Sequence, residues 1–90
     1  MSSEIRNLKE DIGRHEVKIT FSYSGLSYEF HWRALYEDFY IAIYRYYRMS
    51  TEFARIDSMT TENVETKNRA IELINNYCKE QEIPYQIEIK

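Results

Sequence analysis

His15, His31, Cys78 and the adjacent acids Glu37 and Asp38 are the residues of this 90-residue chain whose types could do chemistry. A zinc centre needs four convergent nitrogen, sulfur or carboxylate ligands. His31 falls opposite Lys18 in the hairpin register given below, and His15 lies before the strand start, pointing the other way. Neither stands at ligand spacing with a carboxylate or with Cys78, so both read as solvated or edge histidines. Cys78 lies on the apolar arc of its helix between Ile71 and Ile74; a cysteine there is packing rather than a nucleophile. Glu37 and Asp38 open a predicted helix, where neighbouring side chains point about 100° apart and the macrodipole favours acids anyway. The chain has no glycine-rich phosphate loop, HExxH, GxSxG or CxxC. The reading is of a protein that is no enzyme, with no metal and no cofactor.

What remains is tyrosine, nine residues of it, five within Leu35 to Met49, LYEDFYIAIYRYYRM. Wound as a helix, this stretch puts Ala42, Leu35, Tyr46, Phe39 and Ile43 on one arc, with Tyr36, Tyr47, Tyr40 and Tyr44 continuing it. The narrow polar remainder is Glu37, Arg48, Arg45 and Asp38, with Ile41 in its middle. A surface helix needs an apolar stripe little wider than about 100°, and this one is roughly twice that. Tyr36, Tyr46 and Tyr47 are read as core. An exposed isoleucine ringed by tyrosine and arginine has the composition of a binding hot spot. Tyr40, Ile41, Tyr44, Arg45 and Arg48 are therefore the candidate partner-binding residues.

The elements around this stretch follow from periodicity. Ser3 to Ile12 predicts a short helix, with Ile5, Leu8 and Ile12 on one stripe and Gly13 past its end. Glu16 to Arg33 predicts a hairpin about Ser24-Gly25, pairing Tyr23 with Leu26, Phe21 with Tyr28, Ile19 with Phe30 and Val17 with Trp32. Every apolar residue then shares one face, and a slip of one residue would scatter them. A break is expected between Met49 and Thr61. A second long helix then runs from Glu62 to about Gln81, capped by Thr60 or Thr61. The tail alternates Ile83, Tyr85, Ile87 and Ile89 with polar residues and reads as a third strand with Pro84 near its start.

The fold class expected is α+β in two layers and α-β-β-α-α-β order. It is a three-stranded sheet with helices packed on one face, a single domain over residues 1–90. That order resembles the type II KH domain, which binds single-stranded nucleic acid through a Gly-X-X-Gly loop between its central helices. The interval Met49 to Thr61 holds no glycine, so the resemblance is one of topology without the residues that carry the function. The polar sheet face, Lys18, Thr20, Ser22, Ser27, Glu29 and His31, reads as lacking aromatics for base stacking.

Composition bounds the partners. Net charge is −3, with no block basic enough to announce nucleic acid. A single cysteine excludes an internal disulfide, and no apolar run approaches the roughly 20 residues of a membrane span. A polar N-terminus adds the expectation of a cytoplasmic protein. Isoleucine, tyrosine, lysine, glutamate and asparagine dominate over glycine, alanine and proline, the bias of an AT-rich genome. The expected function is a non-enzymatic protein-binding module, such as a phage or mobile-element accessory protein inhibiting a host or defence enzyme. The alternatives are a single-stranded nucleic-acid binder using Arg45, Arg48, Arg55 and the tyrosines, and a homodimer paired through Tyr40, Ile41 and Tyr44.

Overall fold

The hairpin predicted from alternation is the centre of the molecule. Strands β2 (Glu16–Tyr23) and β3 (Leu26–Arg33) pair antiparallel from Glu16 opposite Arg33 to Tyr23 opposite Leu26. Ser24 and Gly25 turn the chain at φ 52° and 81°, both left-handed, as a two-residue hairpin loop matched to strand twist requires. Val17, Ile19, Phe21, Tyr28, Phe30 and Trp32 are all buried. The Phe21 and Tyr28 rings stack at 5.2 Å, and Phe30 lies 5.6 Å from Phe21.

The computed structural model describes residues 4–34, 40–49 and 52–89, with 48–49 and 52–63 described by backbone alone. Three further strands flank the hairpin: β1 (Arg6–Ile12), β4 (Tyr40–Met49) and β5 (Glu52–Asn63). They complete a five-stranded antiparallel meander in chain order. One helix follows, α1 (Lys67–Glu80), and then an irregular tail. Thr66 caps α1, its hydroxyl accepting the Arg69 N–H at 3.2 Å. The helix lays Ala70, Ile71, Ile74, Tyr77 and Cys78 on the inner face of the sheet. The indole N–H of Trp32 donates to the carbonyl of the buried Val64 at 2.7 Å, tying the helix entry to β3.

The tail completes this layer without joining the sheet. Ile83 and Ile87 are buried in the core. The Asn75 side-chain amide donates to the Ile87 carbonyl at 2.9 Å and accepts the Ile87 N–H at 2.8 Å. One side chain thus satisfies both backbone groups that a neighbouring strand would have taken. Tyr85 lies 5.5 Å from Phe21, and its hydroxyl donates to the Glu10 carboxylate.

These observations correct the expected three-stranded, α-β-β-α-α-β architecture. The first expected helix is β1 from Arg6 onward, and the tyrosine-rich helix is β4 over Tyr40–Met49. The first five residues of that stretch, 35–39, lie outside the described residues. The expected break is β5, the second long helix starts at Lys67 rather than Glu62, and the tail is no strand. The KH-like topology falls with them. The physical reason is the sheet's demand for partners: β3 extended as the outer strand of a hairpin has an open edge, and β4 fills it from Leu26–Tyr47 to Trp32–Ile41.

Both outer strands carry extra residues. Between Arg6 and Lys9, β1 advances three residues while β2 advances two, and Asn7 there takes φ 55°. Strand β5 holds one extra residue opposite Tyr40–Ala42 and another opposite Arg45–Tyr46. Such bulges bend a strand and interrupt its ladder.

Candidate functional site

Side chains alternate across a strand, so β4 sends Ile41, Ile43, Arg45 and Tyr47 inward and Tyr40, Ala42, Tyr44 and Tyr46 outward. Ile41 and Ile43 are buried opposite Trp32 and Phe30. Ile41, expected beside Tyr40 and Tyr44 on an exposed flank, is instead fully enclosed in the core. Arg45 also lies inward, opposite Tyr28, and donates through Nη1 to the Gln81 side-chain carbonyl at 3.3 Å. Tyr47, expected in the core, is 47% exposed at the end of the sheet opposite Leu26. Arg48 stands opposite Phe53 in the register, and its side chain lies outside the described residues. Of the five predicted residues the structure brings Tyr40 and Tyr44 to one face. Tyr40 is 51% exposed beside Glu16, His31 and Arg33, and Tyr44 is half-buried.

The face they share is the outer face of the sheet. Registers place three rows across it: Asp11, Lys18, His31 and Ala42; Lys9, Thr20, Glu29 and Tyr44; Arg6, Ser22, Ser27 and Tyr46. None of these outward residues is buried, whereas Val17, Ile19, Phe21, Tyr28, Phe30, Trp32, Ile41 and Ile43 on the inner face are. The Tyr44 and Tyr46 rings stack at 6.1 Å and 19°, and His31 meets Tyr44 edge-on at 5.9 Å. Beside Tyr46, towards the β1 bulge, a shallow concavity of about 480 Å³ is lined by Asn7, Lys9, Thr20, Ser27 and Glu29 among others.

Glu29, His31 and Tyr46 are the residues missed. Reading residues 35–49 as a helix put Tyr46 in the core and left Glu29 and His31 on a sheet face without aromatics. The available signal was composition: a run of tyrosine, phenylalanine and isoleucine is strand-forming, and its strand period brings Tyr44 and Tyr46 to the same side as Glu29.

The titratable groups divide by face. Burial lowers the His31 pKa first, with Lys18 in the same sense and Glu29 and Glu16 opposing, so the imidazole is neutral at pH 7. Burial pushes the Cys78 thiol up to about 12, which leaves it protonated and without thiolate character. Burial, followed by the hydrogen bond to Glu10, raises the Tyr85 hydroxyl, which stays a donor. Among the described residues no three histidine, cysteine, aspartate or glutamate side chains gather as a metal site. Nor is any helix there long and apolar enough to cross a membrane. Compared with known protein families, with curated proteins and with solved structures, the chain matches none of them.

Proposed function

We propose that this protein is a non-enzymatic protein-binding module whose contact surface is the outer face of the sheet. One observation carries the reading: Tyr40, Tyr44 and Tyr46 stand along β4 on a face where no described outward side chain of β2 to β4 is buried. Tyrosine offers large, rigid contact area with a polar end, and it is enriched where partners bind. The face mixes both charges, with Lys9, Lys18 and Arg33 beside Glu16 and Glu29, which suits a protein surface better than a polyphosphate. The test is a pull-down from cells that make the protein, with wild type as bait and a Tyr44→Ser/Tyr46→Ser double variant as control. Both baits are first checked as folded by circular dichroism. A partner held by wild type and lost by the variant is expected; a partner held equally by both overturns the choice of face.

A second reading is favoured by one feature. Stacked aromatics on an open sheet are a platform on which unpaired bases stack. That reading predicts oligonucleotide binding that weakens steeply with salt, and the same double variant would abolish it. The homodimer alternative, docked through the same face, predicts a molar mass by light scattering that halves in the variant.

A further inference from the structure

The chain leaves α1 through a two-residue turn, Gln81 and Glu82, that is closed against its own preference. The Gln81 N–H donates to the Tyr77 carbonyl at 3.0 Å, that of Glu82 to Lys79 at 3.2 Å and that of Ile83 to Cys78 at 2.8 Å. These bonds fold the chain back over the helix end and hold Glu82 at φ 57°. Glycine is the usual residue at that position of a helix cap, because a side chain there crowds the following carbonyl. The exposed side chain of Glu82 gains little packing in return. With right-handed helical angles at Glu82, α1 would lengthen and the tail would swing off the core. Pro84 keeps such an opened tail extended, since the residue before a proline is held out of the helical region.

The seat of the tail stands on the other side of this turn. Asn75 holds both backbone groups of Ile87, Glu10 accepts from the Tyr85 hydroxyl, and Phe21 meets the Tyr85 ring at 5.5 Å. Among the described residues, the tail's backbone-to-backbone bonds are those of Ile83 to Cys78 and of Tyr85 to Ile83, so no ladder binds it to a strand of its own copy. We infer that two copies of this chain exchange tails, with Tyr85 and Ile87 of each seated against Glu10, Phe21 and Asn75 of the other. The exchanged tail makes the contacts of the closed one, and the bonds of a longer α1 replace those of the cap. The difference lies at the turn: exchange releases the strain at Glu82, and the entropy of association opposes it. A short hinge under strain is the condition that invites such exchange, and reciprocity closes the assembly at two copies. Glu10, Phe21 and Asn75 belong to the inner layer, so the exchange is independent of the binding role proposed for the outer face.

The test refolds the whole chain from urea at micromolar and at millimolar concentration and reads molar mass by light scattering behind a sizing column. A dimer that forms at the higher concentration is expected. In a dimer refolded from equal parts of ¹³C-labelled and unlabelled chain, isotope-filtered NOEs should join Tyr85 and Ile87 of one copy to Phe21 and Asn75 of the other. Glu82→Gly sets the favoured residue in an exposed position, so it should keep the fold and lower the dimer fraction at least threefold. A chain that stays monomeric at millimolar concentration overturns the exchange, and that measurement needs no variant to fold. A dimer whose Tyr85 and Ile87 contacts stay within one copy also overturns it. So does a dimer that the Tyr44→Ser/Tyr46→Ser variant dissociates, since its seam is then the outer face. An unchanged dimer fraction in Glu82→Gly removes the strained turn as the driving force, and the inference with it.

Discussion

The two faces of one sheet are built from the same strands and differ in nearly every physical respect. The inner face carries Val17, Ile19, Phe21, Tyr28, Phe30, Trp32, Ile41 and Ile43, all buried under α1 and the tail. At roughly 1.5–3 kcal/mol for each large apolar side chain fully buried, this face accounts for the fold. The outer face alternates with it residue by residue, yet leaves Tyr44, Tyr46 and Glu29 only half-buried. Among the described residues no second layer covers these rings, so stability gains little from them. The comparison separates residues that hold the chain folded from residues whose side chains face outward.

The sharpest way to break that separation is to cut each face in turn. Phe30→Ala removes a fully buried ring that meets Phe21, Tyr28 and Tyr77. It is expected to cost about 3–5 kcal/mol, much of the margin of a small domain, read by urea denaturation. Tyr44→Ser on the other face is expected to cost no more than about 1 kcal/mol, the worth of a cross-strand pair. Equal losses would show that the outer tyrosines are structural after all.

A smaller effect tests the covering layer. Asn75→Ala leaves the Ile87 N–H and carbonyl without their partners, at about 1–3 kcal/mol. Hydrogen exchange should quicken in the tail around Ile87 and leave the β2–β3 ladder protected. Uniform acceleration would mean that the tail and sheet open together. Gly25→Ala places a β-carbon at φ 81°, with no neighbour within 4 Å to clash. The cost, about 1–2 kcal/mol, is then backbone strain alone, measurable as a lowered Tm with both faces intact.

The least effect concerns pH. His31 has its pKa lowered in the folded chain, first by burial, so the folded state binds a proton less readily than the unfolded state. Stability should therefore fall as pH drops below the unfolded value of about 6.5, and His31→Gln should lose that part of the slope. An unchanged slope would show that the outer face is too open to shift this group.

How much of this was legible depended on whether each strand kept its period. Val17 to Tyr23 and Leu26 to Trp32 alternate without interruption, and the pairs read from them are those of the structure. Strand β4 also alternates, but with Tyr44 and Tyr46 outside and Ile41 and Ile43 inside, both faces look apolar. Hydrophobicity alone then fits a wide helical stripe equally well. In β1 the extra residue near Asn7 shifts the phase, so Ile5, Leu8 and Ile12 fall at helical spacing. The tail alternates as a strand would, but the side chain of Asn75 takes the backbone bonds that would mark it as one. Tyr40 and Tyr44 were found as candidates because tyrosine clusters survive a wrong period. Glu29 and Tyr46 were not, since only the strand register brings them together.

The irregular outer strands bear on how such a surface can exist at all. A flat sheet with sticky rings and straight margins would template its own copies into a growing ribbon. Here β1 is offset once and β5 twice, so an incoming strand loses register within a few residues of either margin. Growth along the direction in which sheets extend is thereby disfavoured, and the binding proposed for the outer face would run along the perpendicular one.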